Sequence, residues 1–372
     1  MKTKYTVLIA ALISCGAFAA PAQAQTQWEP DFKFSGFGTF GAVRTDTSHV
    51  NFGRDRQSYG GATTKAAFDV DSNLGVQATA TANKWLSGTV QVLSAKRTTE
   101  VQITTEAEWA FAKVTPIEGL SIRGGRMAMP LFLVSDSRNV GYANNWLRAP
   151  NEVYGLVSFR RLQGFDVSYQ TPIGSSNLTV TALAGTSVTK YGSTNKGTTY
   201  FDMKNVKGVN VQLETDWATF RVGKIEAQYD TALSQAYSFT GFGVAVDHNN
   251  VVAQAEYVQK RAPAVPSAEG DGWYVMGGYR FGKLLPYASY GSTKPKTELA
   301  YSPTAGNTAG SQKTAAIGLR WDAFKSAALK FQLEHIDTNG SRGISFYNAE
   351  LPAIAVVTRP VTVASATIDF IF

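Results

Sequence analysis

Side chains suited to catalysis are scarce in this chain of 372 residues, which carries one cysteine, Cys15, and three histidines, His49, His248 and His335. A lone cysteine excludes a disulfide framework and a cysteine-based zinc site. The histidines are too scattered for a His-rich metal motif. His248 follows Asp247 and His335 lies close to Asp337, but such spacing alone is a weak signal for a catalytic pair. Gly36-Phe37-Gly38-Thr39-Phe40-Gly41 matches the G-x-G-x-x-G pattern. That chemistry needs a helix N-terminus after the glycines to take the phosphates, and no helical pattern follows. Asp69-Val70-Asp71-Ser72-Asn73 resembles the start of a calcium loop. Leu74 stands where that loop needs glycine, and Ala80 where it needs glutamate. Neither a G-x-S-x-G elbow nor an H-E-x-x-H pair is present. The reading is therefore of a protein that is not an enzyme, with no catalytic residue, cofactor or metal.

The charged residues carry more information. Lys and Arg number 35 against 28 Asp and Glu, giving a formal charge of +7. The charged fraction of 17% is low against the ~25% of ordinary soluble domains. Arg123, Arg126, Arg280 and Arg320 lie in strand-like segments, as do Glu106 and Glu108. Asp136, Arg138, Arg148 and Glu152 lie in a long segment, 128–155, that also holds Phe132, Tyr142, Trp146 and Tyr154.

What would position these charges is a period of two. Val101, Ile103, Ala107, Trp109 and Phe111 fall on one face of a strand, and Gln102, Thr104, Glu106 and Glu108 on the other. Leu74 to Thr81, Val209 to Glu214, Trp273 to Phe281, Ala315 to Asp322 and Leu329 to Glu334 alternate likewise. About sixteen strands follow, with most spans close to the ~9–11 residues that cross a bilayer at a tilt. Their expected spans are 32–44, 73–83, 85–95, 101–114, 119–127, 156–171, 177–186, 204–214, 218–229, 238–248, 251–261, 271–282, 285–293, 313–322, 327–338 and 360–372. Short turns alternate with long connections at 45–72, 128–155, 187–203, 294–312 and 339–359. The expected fold is all-β: a transmembrane antiparallel barrel whose inward faces are polar throughout.

The N-terminus reads as an export address. Lys2 and Lys4 precede the apolar stretch Tyr5 to Ile13, and Ala22-Gln23-Ala24 is a small-x-small cleavage site. Residues 1–24 are expected to be removed as a signal peptide, leaving 25–372 as one barrel domain of charge +5. Leu12-Ile13-Ser14-Cys15 offers a competing lipobox reading, disfavoured by the short apolar stretch before it. Beyond it, the longest apolar run is Ala353 to Val357, far short of a membrane helix.

The last strand is the most specific feature. Ala364, Ala366, Ile368, Phe370 and Phe372 share one face, and Ser365, Thr367 and Asp369 the other. Phe370 and Phe372 look like the C-terminal assembly signal of bacterial outer-membrane barrels. With the signal peptide and about sixteen strands, the chain resembles the Gram-negative general porins. The likeness is sharpest at 109–155, where a long loop follows the fifth strand. The family's Pro-Glu-Phe-Gly-Gly type of loop motif is absent.

The resemblance implies a loop folded into the lumen and passive diffusion of small hydrophilic solutes and ions. It also implies a homotrimer, contact with outer-membrane lipid and lipopolysaccharide, and handling by the barrel-assembly machinery. No nucleic acid is expected. Arg123, Arg280 and Arg320 are expected to face the lumen by strand phase. Arg126 has the opposite phase unless Gly124-Gly125 forms a bulge that re-aims it. Together with Glu106, Glu108 and the four loop charges they make the expected pore lining, and the inward arginines predict a weak anion preference. A substrate-specific channel is the main alternative, with the loop aromatics suited to sugars or aromatic solutes. An outer-membrane enzyme and an adhesive barrel are weaker ones.

Overall fold

The alternation closes into a barrel in the computed structural model, which describes residues 30–372 apart from 55–56, 58–59, 97–101, 158, 195–196, 231–234, 265–268, 297–309, 342, 348–356 and 358. The expected signal peptide, Cys15 and most of the run Ala353 to Val357 lie outside the described residues. The sixteen barrel strands are β1 (Asp31–Thr45), β2 (Asn73–Asn83), β3 (Leu86–Lys96), β4 (Ile103–Ile117), β5 (Leu120–Ala128), β6 (Arg161–Ile173), β7 (Ser176–Thr194) and β8 (Gly197–Glu214), followed by β9 (Ala218–Tyr229), β10 (Ala236–His248), β11 (Val251–Arg261), β12 (Gly270–Tyr279), β13 (Leu284–Pro295), β14 (Gln312–Phe324), β15 (Ala327–Asp337) and β16 (Val361–Ile371). Each pairs antiparallel with its sequence neighbours, and β1 closes on β16. Closure satisfies every strand edge, which lipid demands. Among the described residues no helix is long and apolar enough to cross a membrane.

The outward face is apolar, as the alternation requires. Phe34, Val90, Phe165, Phe242, Ile317 and Phe331 are exposed on the outer wall. Trp85, Trp217, Phe281 and Phe324 stand beside the short turns. Such a girdle suits the interface between lipid and water. The turn Asn249-Asn250 has φ of 50° and 68°, the left-handed pair that a two-residue hairpin needs.

Three expectations need correction. The segment 187–203 is not a long loop, because β7 and β8 run through it as a hairpin. The stretch is rich in Thr, Ser, Gly and Lys and carries no alternation of apolar residues to mark it as strand. Second, β4 shifts register against β3 between Gln91–Trp109 and Val92–Ala107, leaving Glu108 as an extra residue. This bulge turns the face that follows it. Phe111 and Lys113 therefore pair with the inward Thr89 and Ser87, and Phe111 does not face lipid. Third, the inner wall is not polar throughout. Met203, Val206, Ile225, Phe239, Val258 and Tyr274 are buried inside the barrel, beneath the loop that follows β5.

Candidate functional site

That loop, 129–160, folds into the lumen. Its Met129, Leu131, Phe132, Trp146, Val153 and Tyr154 join the apolar patch of the wall in one core. The short helix α1 (Asn151–Tyr154) is buried along its length. Phe132 stacks on Tyr154 with centroids 4.4 Å apart, and Trp146 meets the wall's Tyr274 edge-on at 5.5 Å. Three of the four loop aromatics thus pack against the wall. The fourth, Tyr142, donates its hydroxyl to the Lys325 carbonyl at 2.9 Å.

Wall cations hold the loop's backbone. Arg221 donates to the carbonyls of Leu131 (2.9 Å) and Pro130. Lys260 donates to Leu156 at 3.0 Å. Arg320 donates to Tyr142 (2.9 Å) and Asn144 (2.8 Å). Lys330, fully buried, reaches Gly141, Asn144 and Trp146 and pairs with Asp369 at 2.9 Å. The wall's Glu256 answers from the other side. It accepts the Leu133 N–H at 2.9 Å, the Tyr274 hydroxyl at 2.9 Å and the Tyr154 hydroxyl. Such charge-assisted bonds satisfy loop carbonyls and amides that would otherwise be stranded in the barrel.

The loop's own charges dock it further. Arg148 is buried, forks onto Asp71 at 2.9 and 2.5 Å, and pairs with Glu334. It also donates to the Ser365 hydroxyl at 3.0 Å and lies over the Phe52 ring at 4.8 Å. These carboxylates hold its guanidinium pKa above the ordinary arginine value against the cost of burial. Glu152 is buried and accepts from Gln312 (2.7 Å) and Thr314. Burial raises its carboxyl above the ordinary range, and the two hydrogen bonds oppose the rise. Arg138 donates to the Tyr154 carbonyl at 3.1 Å and lies over the Tyr154 and Phe132 rings.

The remaining expected residues divide. Arg123 faces the lumen and forks onto Asp166 of β6, with Nε 3.0 Å from both carboxylate oxygens. Arg126 is not re-aimed: register runs unbroken from Arg123 to Arg126 on both sides of β5. It keeps the opposite phase and donates to the Ala107 carbonyl at 3.1 Å. Gly125, with φ of 135°, supplies local backbone freedom without an inserted residue. Glu106 pairs with Arg161 at 2.8 Å, and Glu108 lies 3.8 Å from the same guanidinium. Arg280 lies just past β12 at the short-turn rim and forks onto the exposed Asp247. Asp136 is exposed to the lumen, where Arg123 and Arg221 face it. Phe370 and Phe372 point outward, and their rings cover Gly38 and Gly36 of β1. These glycines of the G-x-G-x-x-G match accommodate aromatic rings at the barrel seam. In the Asp69–Asn73 segment, Asp69 pairs with Lys96 at 2.5 Å and Asp71 with Arg148.

One side of the lumen stays open. A space of about 630 Å3 lies against β2–β9, between the wall and loop residues 130–137. Its charges are Lys113, Arg123, Arg221 and Asp136, among Thr79, Ser168, Thr181, Asn210 and Gln212. Lys113 and Arg221 were not among the expected residues. Arg221 was legible, since it alternates with the exposed Phe220 and Val222. Lys113 was hidden by the bulge at Glu108.

Residues 9–341 match the family model described as Gram-negative porin. The chain belongs to the Gram-negative porin family. This porin is accordingly a protein of the Gram-negative outer membrane. None of the curated proteins matches it in sequence. Among solved structures it resembles Salmonella typhi OmpF in complex with daunomycin, at 14% identity and TM-score 0.57, over 92% of this chain and 97% of that one. It also resembles an anion-selective porin from Comamonas acidovorans, at 11% identity and TM-score 0.56, over 92% and 100%. OmpT, an outer-membrane protein of Vibrio cholerae, matches at 11% identity and TM-score 0.55, over 92% and 98%. At these identities the likeness is one of fold.

Proposed function

We propose that this porin is a water-filled channel for passive diffusion of small hydrophilic solutes and ions, with a weak preference for anions. The observation that carries the reading is the open space beside the docked loop. Hydroxyl, amide and charged side chains make up most of its lining, whereas the neighbouring lumen is filled by the docked loop with apolar and ion-paired side chains. Lys113, Arg123 and Arg221 set its positive side and Asp136 its negative side, an arrangement that orients dipolar solutes. Arg148, Glu152, Arg320 and Arg138 serve to hold the loop, and Arg280 belongs to the rim.

The reading favours a channel over an enzyme. His335 is exposed in phase with the lipid-facing Phe331 and Leu333, and Asp247, beside His248, is held by Arg280. Neither histidine stands in the open space. We also propose a cleaved signal peptide, a homotrimer, contact with lipopolysaccharide and recognition of Phe370 and Phe372 by the assembly machinery. Swelling of liposomes that contain the purified protein tests the channel directly. Small sugars should enter at rates that fall with their size, and absence of swelling contradicts the proposal.

A further inference from the structure

We propose that the open lumen holds a binding site for small aromatic carboxylates, built on Lys113 and Phe111. The inference rests on the channel reading and names a solute class for it. The bulge at Glu108 sets both side chains inward on β4, where an unbroken alternation would have pointed them at lipid. Register then places Lys113 directly opposite Arg123 on β5. Two like charges across a strand pair repel each other, which the fold alone gives no reason to keep. Asp166 lies on the far side of Arg123 and forks onto that guanidinium alone. Arg221 is engaged by the loop carbonyls. The Lys113 side chain has no hydrogen bond or ion pair among the described residues. An ammonium left so, beside a guanidinium and within a walled space, is an anchor for a carboxylate.

Phe111 adds the second half of the chemistry. It lies on the same face of β4 as Lys113, lines the same space and carries the Arg123 guanidinium over its ring at 5.3 Å. Trp109 follows on that face, 6.5 Å from Phe111. A flat apolar body can settle against this aromatic and guanidinium surface while its carboxylate meets Lys113. Asp136, the carboxylate that faces Arg123 and Arg221, disfavours a second negative charge on the solute.

Chloride current through the purified protein in planar bilayers, titrated with benzoate, acetate and benzyl alcohol, reads the site. Benzoate should reduce the current at concentrations roughly tenfold lower than either partial analogue, as burying one ring and pairing one charge require. Lys113→Gln should abolish that advantage and Lys113→Arg keep it. Phe111→Leu should make benzoate and acetate equal. Equal potency of benzoate and acetate on the wild type, or an unchanged benzoate effect in both Lys113→Gln and Phe111→Leu, overturns the inference. Calorimetric titration of the solubilised protein with benzoate reads the same site without current. Benzoate binding that depends on Lys113 in a protein without conductance would therefore sink the channel reading and uphold this one.

Discussion

Lys330 illustrates how a barrel interior tolerates a charge with no exposed surface. Its ammonium meets three loop carbonyls and the buried Asp369, so each of its donors has a partner. Lys330→Met leaves the buried Asp369 carboxylate without a counter-charge, with only the Thr39 and Thr367 hydroxyls, and should cost about 3–5 kcal/mol, measured as a lower midpoint of urea unfolding in detergent. Glu152 carries the opposite burden. Its carboxyl pKa is raised by burial, so the folded protein takes up a proton more readily than the unfolded chain. The strain of burying its charge is present in full above the raised pKa and is relieved as pH falls toward the ordinary glutamate range. Thermal stability of the wild type should therefore gain on that of Glu152→Gln as pH falls from neutral toward the ordinary glutamate range. A difference that stays constant with pH contradicts this. At this scale the sequence was only partly legible. The phase of Arg123 was readable, but Arg148 finds its partners at Asp71, Glu334 and Ser365, far off in the chain. No local spacing marks such a contact, so docking residues and lining residues look alike in sequence.

The strands were the most legible elements, because one face meets lipid and alternation records it. All sixteen expected strands are present. The long loop after the fifth falls where expected. The failures have local causes. An inserted residue at Glu108 inverts the faces of the strand after it, and the polar stretch 187–203 has no apolar alternation to mark it as strand. The seam between β1 and β16 depends on paired shapes. A Cβ on Gly38 would overlap the Phe370 ring, whereas one on Gly277 meets nothing. Gly38→Val should thus destabilise the folded barrel by about 1–3 kcal/mol, while Gly277→Ala changes little. Loss of the heat-resistant folded band on gels, compared between the two, checks this.

Across the whole molecule, three long connections converge on one half of the barrel. Asn151 of the inserted loop donates to the Gly53 carbonyl at 3.3 Å and to Ser345 at 2.9 Å. Phe52 and Phe346 belong to a short two-stranded ribbon, Asn51–Phe52 with Phe346–Tyr347, that joins the first and last long connections. Apolar side chains pack beneath the inserted loop, and the water-accessible space lies against other positions of β2–β9, beside loop residues 130–137. Arg320→Met frees two loop carbonyls, and single channels should become noisier as the loop edge loosens. Ion preference is governed by the few charges left in the open space, and Lys113→Glu should shift it toward cations. The most direct measurement is the current of the purified wild-type protein in a planar bilayer under a potassium chloride gradient. The account predicts steady conductance with a reversal potential on the anion-preferring side. A protein that inserts without conducting, or one that conducts with cation preference, contradicts it.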